Sequence, residues 1–230
     1  MYSSSQNSAI VRAAALRGVP QAQLIYGQML LDAKTSHRDE QAALHWFERA
    51  ALGGELMAVN MVGRCLDQGW GTPASQQLAL PWFRHAAERG LDWGMYNLAT
   101  LLLLGKGGIA IDRAQAFDWL ARAASLGHVK SMNLLGGFYE DGWIVTRDLA
   151  KARTLYRGAA LGGDFRGQFN FARFLLDEGD WVGALSWLRK LPDTATPAFI
   201  EKASRFLLAR KLPLQLSAFV RSMPRATLAL

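Results

Sequence analysis

The chain has 230 residues, half of them hydrophobic, with 26 Lys and Arg against 19 Asp and Glu for a formal net charge of +7. Its one cysteine, Cys65, excludes an intramolecular disulfide and a thiolate metal cluster. The longest apolar run, around Leu101 to Leu104, falls far short of the roughly 18 residues of a membrane span. The opening residues lack the basic and apolar regions of a secretory signal, so a cytoplasmic setting without membrane insertion is expected.

The charge is not evenly spread. Residues 181–230 hold eight of the cations and two of the acids, so the basic character belongs to the C-terminal segment.

In chain order, Ser3 to Arg17 reads as one helix, capped by Ser3 and stopped at Gly18. Its Ala14-Ala15-Leu16-Arg17-Gly18 ending recurs. Ala-Ala-x-x-Gly starts again at Ala50, Ala86, Ala123 and Ala159, at steps of 36, 36, 37 and 36 residues. A large apolar residue sits four places before each pair (Ile10, Trp46, Trp82, Trp119, Leu155). A helix-capping residue sits eleven before it (Ser3, Asp39, Ser75, Asp112, Asp148). A fixed period of this length marks a repeat array whose units cannot bury their apolar faces alone.

Complete units are read at about 21–54, 57–90, 93–127 and 130–163, with a shortened fifth at 166–191. The array thus occupies 19–191, after a half-repeat helix at 1–18 and before a basic capping segment at 192–230. In each first helix a small residue is followed five places on by a second: Ala22 and Gly27, Ala58 and Gly63, Gly94 and Ala99, Ser131 and Gly136, Gly167 and Ala172. Large residues flank the second one at spacings that share a helical face. The small residues are expected to form a seam where backbones approach closely.

The fifth unit keeps Asp180, Ala184 and Trp187 in register but ends in Leu191-Pro192. Thr196-Pro197 then signals a helix running to about Lys211, and residues 214–222 read as another.

Leu134-Leu135-Gly136-Gly137-Phe138-Tyr139-Glu140-Asp141-Gly142, then Asp148 to Ala152, then Ala159 to Gly163, resembles a Sel1-like repeat, a relative of the tetratricopeptide repeat. The segment from Tyr96 to Gly127 does so too. The resemblance covers roughly residues 3–190. It implies an all-α fold, a right-handed α-α superhelix of about five helical hairpins with a C-terminal helical cap. It further implies use as a scaffold for protein partners, and some members are immunity proteins that block an effector. Departures are Ser75 for the usual Asp, Leu155 for an aromatic, and the short last unit. A cysteine-rich branch of the family carries a disulfide in each repeat, and Cys65 alone sets this chain apart from it.

No catalytic, metal or cofactor site is read. His37, His45, His85 and His128 lack ligand spacing on one helix. Gly105-Lys106-Gly107-Gly108 lacks the phosphate-loop spacing and a preceding strand. Glu140-Asp141 and Asp177-Glu178 read as solvated helix ends, and Cys65 as a buried structural thiol.

A non-enzymatic scaffold remains, holding a protein or peptide on the face of the first helices opposite the seam, which lines the concave surface in such arrays. The positions there are Asn60, Arg64 and Asp67 in one unit, then Tyr96, Asn97, Thr100 and Leu103. Asn133, Gly137 and Glu140 follow, and then Phe169, Asn170, Arg173 and Leu176. Asn recurs on four successive first helices although it is a mediocre helix former, so a further duty is expected of it. It either bonds a peptide backbone or ties neighbouring helices together, with Asn60 and Asn133 offset by one position from Asn97 and Asn170. A second reading is polyanion or nucleic-acid binding through Lys202, Arg205, Arg210, Lys211, Arg221 and Arg225. Against it, no stacking aromatics interleave those charges.

Overall fold

The computed structural model describes residues 4–32 and 38–223. The expected cap Ser3, His37 and Arg225 lie outside the described residues. Every described element is helical, and the chain divides into two compact units, residues 1–123 and 124–230.

The first unit runs α1 (Ser4–Leu16), α2 (Pro20–Leu31), α3 (Glu40–Leu52), α4 (Leu56–Gln68), α5 (Gln76–Glu88) and α6 (Asp92–Leu104), and ends within α7 (Arg113–Ser125). From α1 to α6 each helix packs on the next. The second unit holds α8 (Val129–Asp141), α9 (Leu149–Leu161), α10 (Phe165–Asp177), α11 (Trp181–Leu188), a turn-length α12 (Leu191–Thr194), α13 (Pro197–Leu208) and α14 (Leu214–Ser222).

The capping residues start the second helix of each hairpin. Asp39 accepts from the Ala42 N–H at 2.9 Å, Ser75 from Leu78 at 3.3 Å, Asp148 from Lys151 at 2.9 Å and Asp180 from Gly183 at 2.8 Å. Each satisfies one N–H that the helix itself cannot. The closing glycines sit where a side chain would be strained, as at Gly54 (φ +87°) and Gly127 (φ +90°). α13 stops at Leu208 and not near Lys211.

The repeated motifs fit one another. The first small residue of a first helix rests on the Ala-Ala pair just before it: a Cβ on Gly94 would meet Ala86 Cβ at 2.7 Å, and one on Gly167 would meet Ala159 Cβ at 2.5 Å. Where the second small residue is Gly, it receives a ring from the helix that follows. A Cβ on Gly27 would meet Phe47 at 2.7 Å, on Gly63 Phe83 at 2.7 Å, and on Gly136 Tyr156 at 2.7 Å. The ring that fills the seam therefore comes one residue after the recurring Trp46 and Trp82. This accounts for Leu155: the aromatic of its unit is Tyr156, 3% exposed.

Separate cores form in the two units. Met61, Val62 and Cys65 meet Phe47 in the first; in the second, Phe171 and Leu175 meet Leu188, Ile200 and Leu216. Cys65 is fully buried, and burial pushes its thiol up to about 12. The folded chain is expected to leave Cys65 unreacted with a disulfide reagent at pH 8, and urea to expose it stoichiometrically; fast labelling of the folded chain would contradict that burial.

Candidate partner-binding groove

The first-helix face differs between the two units. In the first, α2, α4 and the start of α6 enclose a groove of about 460 Å³. Leu24, Ile25 and Met29 come from α2, Met57 and Met61 from α4, and Trp93 from α6. Gln28, Asp32, Asn60 and Arg64 supply its polar groups. A mainly apolar cleft with a few polar groups is the usual form of a binding pocket, and Met side chains adapt to varied occupants. Ile25 is 43% exposed, so the apolar wall reaches solvent.

Two of the expected site residues, Asn60 and Arg64, fall in this groove. The other groove residues escape the sequence pattern, which begins at α4 and includes neither α2 nor Met61. It also omits the position just before the first small residue, which Met57 and Trp93 occupy. Methionines at 29, 57 and 61 were the available signal.

The asparagines pair with each other. Asn97 Nδ2 donates to Asn60 Oδ1 at 2.8 Å, and Asn170 Nδ2 donates to Asn133 Oδ1 at 2.8 Å. Asn60 and Asn133 are buried, 1% and 7% exposed. The one-position offset is what makes the pairs: each buried Asn meets the shifted Asn of the next first helix. These are inter-helix ties, and each satisfies polar atoms whose burial would otherwise be costly.

Thr100 Oγ1 donates to the Tyr96 carbonyl at 2.8 Å, and Tyr96 lies edge-on to Trp93. Leu103 is half-buried. In the second unit, Phe169 lies edge-on to Phe199 and Phe206, and Leu176 packs against the core. Helix α13 thus occupies part of the face that the sequence left open for a partner.

Glu140 is not a solvated helix end. Arg173 binds it through both terminal nitrogens, at 2.7 and 2.6 Å, and the Tyr156 hydroxyl donates to it at 2.8 Å. Burial alone would raise the Glu140 carboxyl, but those hydrogen bonds outweigh it and hold the group below the usual carboxylate range. Burial would likewise lower Arg173, and the Glu140 bonds reverse that too. Tyr156 is pushed up by burial first and by Glu140 second.

The basic C-terminal set is partly neutralised. Arg205 pairs with Glu201 at 2.8 Å and Arg210 pairs with Asp177, while Lys202, Lys211 and Arg221 are exposed. Among the described residues, no helix is long and apolar enough to cross a membrane.

Stacked helical hairpins with this internal period define an all-α repeat solenoid, a class whose stacked units create an extended surface. The Sel1 repeat family model matches residues 20–55, 56–91, 94–128 and 129–164, and the chain belongs to that family. A solved Sel1 repeat protein from Oxalobacter formigenes is similar over 90% of this chain and 87% of its own, with a TM-score of 0.74 and 24% identity. An immunity protein from Pseudomonas aeruginosa, Pa5087, is similar over 89% of this chain and 80% of its own, with a TM-score of 0.60 and 17% identity. At these identities the likeness concerns fold. Chitin synthase regulatory factor 1 of Schizosaccharomyces pombe is 30% identical over 134 residues, 57% of this chain. The chain spans 29% of that regulator's length.

Proposed function

We propose that this chain is a non-enzymatic interaction scaffold that docks an apolar segment of a partner protein in the groove across α2, α4 and the start of α6. The observation that carries this reading is the groove itself, with its exposed apolar wall and adaptable methionines. Membership of the Sel1 repeat family and the likeness to a protein named as a regulatory factor support it. The bond from Asn97 ties α6 to α4 beneath this surface, while Asn60 also lines the groove.

Ile25→Glu places a charge on the exposed wall without touching the core. A partner captured from native lysate by the unaltered chain is expected to be lost with Ile25→Glu and kept with Lys202→Glu, both variants matching its circular dichroism. Loss with Lys202→Glu alone would shift the site to the basic segment, and capture indifferent to Ile25 would remove the groove from consideration.

A further inference from the structure

Arg64 and Arg173 hold the same repeat position, six residues after Ala58 and Gly167, and they are placed very differently. Arg173 finds Glu140, the residue nine places after the first small residue of the preceding first helix, and binds it through two bonds. The residue at that place before Arg64 is Leu31, buried at 6% exposure. Leu31 offers no acceptor.

Arg64 lies instead against the Met61 sulfur at 3.6 Å and the Trp70 ring at 4.8 Å, and lines the groove. Burial lowers its pKa, with Asp67 and Asp32 opposing that from a distance. Among the described residues, no carboxylate lies within ion-pair distance of it. A half-buried guanidinium has five N–H donors in a planar fork that matches a carboxylate, and the weak sulfur acceptor of Met61 is a poor substitute for one.

We propose that the groove recognises an apolar segment carrying one Asp or Glu side chain, and that this carboxylate takes on Arg64 the place that Glu140 takes on Arg173. This rests on the scaffold reading above and names the chemistry of its partner. A single carboxylate suits the site better than a phosphate, because Asp32 stands in the same groove and opposes higher negative charge. The methionines and Trp93 would receive the apolar residues on either side of the acid.

The test begins with a phage-displayed library of random twelve-residue peptides panned on the full chain, with Ile25→Glu as the counter-selection. Recovered sequences are expected to share one acid flanked by large apolar residues. A selected peptide, synthesised with its C-terminus amidated so that no terminal carboxylate competes, should lose at least about tenfold in affinity when its acid becomes the amide. Arg64→Met should cause the same loss, and combining both changes should add little to either alone. Arg64→Lys, which keeps charge but not the fork, should fall between.

Apolar peptides that compete for the groove yet ignore both Arg64→Met and the amide would overturn the carboxylate and leave the scaffold reading intact. A library yielding nothing sensitive to Ile25→Glu would count against both. Concentration-dependent self-association in sedimentation, abolished by Ile25→Glu, would make a second copy the occupant and overturn the proposal.

Discussion

Glu140→Ala is expected to lower the unfolding free energy by about 2–4 kcal/mol at pH 7, measured by urea denaturation followed by circular dichroism. The Arg173 and Glu140 side chains are 17% and 20% exposed, so water cannot replace the lost carboxylate at both guanidinium nitrogens and the Tyr156 hydroxyl together. The effect is far above the range of an exposed ion pair. It also depends on pH in a fixed direction. The folded carboxyl lies below its ordinary value of 4.5, so its stabilisation is complete above that value and is lost as pH falls through the folded pKa. The gap between the parent chain and Glu140→Ala should therefore narrow below about pH 4. Replacing both partners, as Glu140→Leu with Arg173→Met, should recover part of the loss, because an apolar pair leaves no charge stranded and only the Tyr156 hydroxyl loses its acceptor. Leu31, a buried apolar residue, fills the matching place in the first unit. A cost under about 0.5 kcal/mol at pH 7 would show that the network is solvated and structurally idle.

The period, the caps and the seam were legible because each depends on local chemistry that recurs in register. Asp39, Ser75, Asp148 and Asp180 cap where the spacing placed them, and Gly94 and Gly167 lie where backbones close, whereas Gly63 and Gly136 make room for a ring. What stayed hidden was which side chains answer one another across repeats. Asn60 and Asn97 could be seen to be offset, but whether that offset makes a pair or two separate ligand contacts depends on the spacing of helices. Glu140 looked like a solvated end because its partner lies 33 residues away on another helix. Phe169 sat on the expected open face, yet α13 folds back over it, and the repeat rule says nothing about a segment outside the repeat. The groove was missed for a related reason: its α2 wall belongs to the first full unit, where no preceding helix pair drew attention to that face.

Phe83→Ala should be the costlier core change, about 3–5 kcal/mol, as it empties a site where a wholly buried ring lies against Gly63. That contact supplies a sharper test of the seam than the loss alone. In the parent chain a Cβ at residue 63 would stand 2.7 Å from Phe83 Cε1 and 2.8 Å from its Cδ1. Gly63→Ala therefore forces the ring aside at about 1–3 kcal/mol, against about 1 kcal/mol gained from better helix propensity. Once Phe83 is Ala the severe overlap is gone, and only a 3.2 Å approach to Trp82 Cβ opposes the propensity gain. Gly63→Ala should then change sign, from destabilising in the parent chain to stabilising by at most about 1 kcal/mol in the Phe83→Ala background. Urea unfolding of the four variants in a double-mutant cycle measures this directly. Equal effects of Gly63→Ala in both backgrounds would mean that the glycine answers to something other than the ring. A change of sign would explain why the second small position and the aromatic of the following helix recur together: they are two halves of one contact, and a chain that enlarged the first would have to shrink the second.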